Sequence, residues 1–214
     1  MTQALLEELP PAQRLALAYA PRAARPATLA LVALDARLAA VLRRKGEPVL
    51  AQMRFAWWRD VLGRDKAGWP RGDAVLQRLA EWHDPDALVP LVDGWEGLLA
   101  ETLDAPTIDA FVRGRAAALG QLASELGLAS AGAEVGGSWW ALGDLAGNLA
   151  DPAERAAVLA RAATLPPCPP LPRALRPLAV LAALGKRSLA RGGTPLLDGF
   201  GAGLLAMRVG IAGR

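Results

Sequence analysis

Apolar positions along this chain recur at helical spacing, and the breaks between them are made by proline and glycine. After Pro26, the residues Leu31, Leu34, Leu38, Val41 and Leu42 fall on one helical face. Pro48 suits the first turn of a second helix running to about Leu62, because a proline there gives up no needed N–H. A polar insert, Gly63 to Gly72, precedes a short helix ending near Trp82. Asp84-Pro85 marks a turn, and the next helix is expected to reach about Leu103. Thr107 is a candidate cap for a long helix from Ile108 to Leu126.

The second half reads the same way. Gly127 to Gly137 is a run of small residues expected to form a loop, followed by a helix from Trp139 to Leu149. Asp151-Pro-Ala-Glu154 is a compact helix start, with Asp as cap and Pro in the first position. Leu165 to Pro172 contains five prolines and is a rigid connector. Two last helices are expected at about Arg173–Arg191 and Pro195–Gly210, separated by Gly192-Gly193. No alternating, strand-like stretch occurs. The pattern predicts an all-α protein in one domain, residues 1–214, with Trp57, Trp58 and Trp139 or Trp140 in its core.

Composition narrows the function classes. A net charge of +3 and a pI near 9.6 would suit a nucleic-acid partner if the cations were clustered. They are dispersed, and only three are lysines (Lys45, Lys66 and Lys186), so nucleic acid is not implied. The single cysteine, Cys168, excludes an intramolecular disulfide and any multi-cysteine metal site, and reads as an ordinary loop thiol. His83, the one histidine, stands in Glu-Trp-His-Asp-Pro at a helix end, where a surface or capping role fits better than catalysis. The glycines near Gly136 lack the strand and lysine of a phosphate-binding loop. The acidic N-terminus has no signal-peptide pattern, and no apolar run reaches the ~20 residues of a membrane span. A cytoplasmic protein is expected, with contact at the periphery of the inner membrane left open.

Five segments carry a family resemblance. Ala30-Leu-Val-Ala-Leu34, Arg54-Phe-Ala-Trp-Trp-Arg-Asp60, Leu91-Val-Asp-Gly94, Phe111-Val-Arg-Gly-Arg115 and Leu171-Pro-Arg-Ala-Leu175 resemble, in order and spacing, segments of the squalene/phytoene synthase family. The resemblance implies an isoprenoid-synthase-like helical bundle. It also implies head-to-head prenyl transfer, in which two Asp-rich motifs hold Mg²⁺ against diphosphates, because hard Mg²⁺ takes carboxylate oxygens. Aligned on those segments, the first motif falls on Ala39, Ala40 and Arg43, and a further family aspartate falls on Leu98. Of the second motif only Asp151 survives, with Arg155 at its end.

The resemblance therefore implies a degenerate member with no catalytic, cofactor or metal residue and no cofactor. Such a protein would be a binding or assembly factor, similar to the branch that includes a mitochondrial complex I assembly factor. Its partner would be a protein or a lipid or isoprenoid ligand, in a cavity drier and smaller than an enzyme's and lined by Ala, Leu and Trp. The alternative is a prenyl-diphosphate transferase with an altered, Mg²⁺-dependent site. Arg43 has two expected positions: ion-paired to Asp151 or Glu154 across the former metal gap, or out in solvent at the end of its helix.

Overall fold

The computed structural model describes residues 2–43 and 48–213, and among these there is no strand. Eleven α-helices follow one another: α1 (Thr2–Glu8), α2 (Pro11–Ala18), α3 (Arg25–Arg43), α4 (Pro48–Leu62), α5 (Ala74–Leu79), α6 (Val89–Gly97), α7 (Ala105–Glu125), α8 (Ala131–Asn148), α9 (Pro152–Ala162), α10 (Arg176–Ala190) and α11 (Phe200–Ala212). The all-α expectation holds.

Local sequence explains most helix starts. Asp73 caps α5 by accepting the Val75 and Leu76 N–H groups at 2.8 and 3.0 Å, and Asp151 caps α9 through Ala153 and Glu154 at 2.8 and 2.9 Å. The cap of α7 is Asp104 rather than Thr107. Its carboxylate accepts the Thr107 N–H at 2.9 Å, and Pro106 then occupies the first turn. Three other boundaries differ from the pattern. Helix α6 stops at Gly97, α11 starts at Phe200 after a turn, and α1 and α2 occupy an N-terminal stretch whose periodicity is too short to announce them.

The largest difference is in α8, which begins at Ala131, so that most of the expected loop from Gly127 to Gly137 is helix. Glycine here serves packing rather than breaking. Helix α8 lies between α7 and α10, and the crossing with α10 brings Gly143 against Gly185. A Cβ on either glycine would run into backbone, that of Gly185 in one case and of Trp139 in the other. Two such small residues let the backbones approach closely, and the tertiary gain outweighs the ~1 kcal/mol that glycine costs inside a helix.

The hydrophobic core runs without interruption from Leu5 to Val209. Trp58 and Trp140 belong to it as expected, with Trp69, Trp82 and Trp95. Trp57 does not. It is 42% exposed, meets Trp58 edge to face at 4.9 Å, and points outward because α4 packs on the bundle with only Phe55, Trp58, Val61 and Leu62 buried. Trp139 is partly buried at the edge, where its indole donates to the Pro166 carbonyl at 2.9 Å and ties α8 to the proline connector. Among the described residues no helix is long and apolar enough to cross a membrane.

Gly185→Ala should therefore lower stability by about 1–3 kcal/mol, although alanine is the better helix former. Thermal unfolding followed by circular dichroism should show a fall of several degrees. An unchanged or raised midpoint would mean that the α8–α10 crossing is looser than described.

Candidate functional site

Helix α3 is apolar from Leu29 to Val41 except at Asp35 and Arg37. Arg37 reaches outward to Glu8 and Asp73. Asp35 is 1% exposed and turns into the bundle. A carboxylate can be buried there only if its lone pairs are met. Four donors meet them: Arg115 Nε at 3.0 Å, Arg115 Nη2 at 2.8 Å, Trp95 Nε1 at 2.9 Å and Gln13 Nε2 at 3.0 Å.

Arg115, itself 1% exposed, forks onto Asp35 with two nitrogens and gives its third, Nη1, to Asp144 of α8 at 2.9 Å. Its guanidinium carbon lies 4.0 Å from the Trp140 ring centre and 5.0 Å from those of Trp95 and Phe111. The cation is thus held by carboxylates at its edge and aromatic faces above and below. Burial works to lower the Arg115 pKa, but Asp35 and Asp144 outweigh it, so the pKa is raised and the group stays charged. Burial pushes the Asp144 carboxyl up, against the pull of Arg115 and, more weakly, of Arg43. Its side chain nevertheless keeps 24% of its surface open.

What Asp144 opens onto is a cavity of about 340 Å³ between α3, α6, α7 and α8. Its floor is Trp95, Phe111, Arg115 and Trp140, its walls are mostly Ala and Leu, and Arg43, Asn148 and Glu154 add polar groups. Three of the six positions that the family resemblance singled out meet here: Ala39, Arg43 and Leu98. The other three do not line it. Ala40 faces a separate groove toward α4, Asp151 is exposed and occupied as the α9 cap, and Arg155 lays its chain on Gly193 and donates to the Leu149 carbonyl at 2.5 Å.

Of the two positions expected for Arg43, the ion pair is not formed. Arg43 is exposed and bridges neither Asp151 nor Glu154, because Asp151 turns to its own helix N-terminus while the end of α3 leaves Arg43 free to reach solvent. His83 is at the surface, its backbone and ring held by Glu125 at 3.0 Å. Cys168 lies in the connector, and burial pushes its thiol up, away from the reactive thiolate.

The Asp35–Arg115–Asp144 cluster escapes a reading based on motifs. The available signals were a single acid in the apolar face of α3 and an arginine spaced i, i+4 from Phe111 and from Leu119 in α7. The carboxylates that could serve Mg²⁺ do not suit it. Both Asp35 oxygens are shared among Arg115, Trp95 and Gln13, and Asp144 already accepts from Arg115. Comparison with known protein families, with curated proteins and with solved structures finds no match to this chain.

Two outcomes test this geometry. Asp35→Leu leaves the buried guanidinium with Asp144 alone and should cost about 3–5 kcal/mol in urea unfolding, whereas Asp35→Leu with Arg115→Met should recover much of that loss. A double variant no better than the single one would show that the cluster holds more than its charges. For Asp144 the sign follows from a folded-state pKa above the unfolded value of about 3.9. The folded state binds the extra proton, so the contribution is full below that value and is lost as pH rises through the raised pKa. Asp144→Asn should gain on the parent in melting temperature as pH goes from about 4 to about 7; a pH-independent difference would contradict the raised pKa.

Proposed function

We propose that this chain is a degenerate squalene/phytoene synthase-like protein that works as a binding or assembly factor, holding an isoprenoid or lipid tail rather than turning over a diphosphate. One observation carries the reading: of the two carboxylates lining the cavity, Asp144 is engaged by Arg115, which leaves Glu154 alone to meet a Mg²⁺ ion. Removing a diphosphate needs metal charge at the leaving group, and a carboxylate that already shares the Arg115 cation is a poor ligand for that metal. Two features of the cavity support a neutral, apolar occupant. Its size is at the lower edge of the ~300–1,000 Å³ usual for small-molecule sites, and alanine and leucine replace charged groups at Ala39 and Leu98.

The experiment uses the purified full chain. Titration with a farnesyl-chain alcohol should change the fluorescence of Trp95 and Trp140, and Leu98→Arg at the wall should weaken binding at least about 10-fold. Farnesyl or geranylgeranyl diphosphate with Mg²⁺ should release no pyrophosphate. Release that disappears in Asp144→Asn would replace this reading with that of a prenyl-diphosphate transferase.

A further inference from the structure

Helix α11 presents its residues in the reverse of the usual order for a helix that closes a core. Its small residues Ala202 and Ala206, with Val209, are buried, while Phe200, Leu204, Met207 and Ile211 are 83, 48, 48 and 72% exposed. At about 100° per residue these four share an arc of about 60°, opposite the buried face. The inward contacts are to α10 and to α2, just beyond whose end the Tyr19 ring seats against Gly210. Of its large side chains Leu205 and Val209 pack inward, and these four do not. They form a ridge.

The charge around this ridge has one sign. From Arg173 to Gly213 the chain has six cations (Arg173, Arg176, Lys186, Arg187, Arg191 and Arg208) and one acid, Asp198, which Arg191 pairs at 3.5 Å. Six less one leaves +5 on this segment, against +3 for the whole chain. Arg187 lies beside Gly201 at the start of α11, Arg176 beside Gly213 at its end, and Arg208 on the helix itself. Among the described residues none of these three is ion-paired.

A second exposed apolar strip, Val49, Leu50, Met53 and Trp57 on α4, has charges of both signs around it. Glu8 lines the same groove and Arg37 and Arg59 are each paired with two carboxylates, while among the described residues Arg43 and Arg54 form no ion pair.

We propose that α11 is the face by which this protein lies on an anionic lipid bilayer. The ridge enters the boundary between headgroups and acyl chains, and Arg176, Arg187 and Arg208 meet lipid phosphates. The charge pattern selects this occupant over a second copy, since a two-fold pairing of the ridges would set their cationic borders against each other. The inference is independent of what the internal cavity holds.

Flotation with vesicles tests it. The full chain should bind vesicles of phosphatidylcholine mixed with phosphatidylglycerol at least about 10-fold more tightly than phosphatidylcholine alone, and high salt should erase the difference. Met207→Glu with Ile211→Glu should lose that binding while the far-ultraviolet spectrum stays unchanged, because both side chains are exposed. Met53→Glu on α4 should bind as the parent does. Equal binding to both vesicles would overturn the proposal, as would binding that survives the α11 changes or is lost in Met53→Glu. So would a dimer in light scattering that Ile211→Glu dissolves without any vesicle binding.

Discussion

Arg115 is a full positive charge with almost no access to water, and the arrangement of the bundle follows from what it takes to keep it there. Its two carboxylates come from α3 and α8, its aromatic faces from α6, α7 and α8, and a further hydrogen bond to Asp35 comes from Gln13 of α2. Each partner is useful only when the others are in place, because a partly satisfied buried charge is worse than none. Five helices are thereby fixed around one point. An apolar core of similar volume could be as stable, so the cluster is a constraint on the arrangement rather than evidence of extra stability.

The same cluster governs the cavity beside it. Trp95, Phe111 and Trp140 stack on the guanidinium and form the cavity floor at the same time, so the floor is rigid and largely apolar. Asp144 is the one member of the cluster that still has an open surface there. An apolar chain with at most a modest polar end suits such a space, since a second anion would face Asp144 and Glu154 across it. The apolar ridge of α11 and the arginines beside it belong to other residues and other helices, so the proposed bilayer contact and the proposed cavity occupant can be tested by separate mutations.

Much of the helical framework was legible in the sequence because its causes are local. The 3.6-residue period, the Asp-Pro starts and the proline-rich connector act over a turn or two of chain, so α3, α4, α9 and the break at Leu165–Pro172 follow from neighbouring residues alone. Of the six positions named through the family resemblance, Ala39, Arg43 and Leu98 border one cavity and Ala40, Asp151 and Arg155 do not.

Tertiary structure decided the rest. Gly136 and Gly137 look like loop residues until α7 and α10 are in place and close approach makes glycine the residue that fits in α8. Trp57 and Trp58 are adjacent and chemically identical, yet one is buried and one exposed, because the angle at which α4 packs is set by α3 and α6. Asp35 and Arg115 stand 80 residues apart, and only the packing of α3 against α7 turns two isolated charges into a bidentate pair. The sequence by itself determined where α3, α4 and α9 form; the extent of α8 and which side chains meet inside were decided by packing, since close approach, burial and charge pairing depend on neighbours distant along the chain.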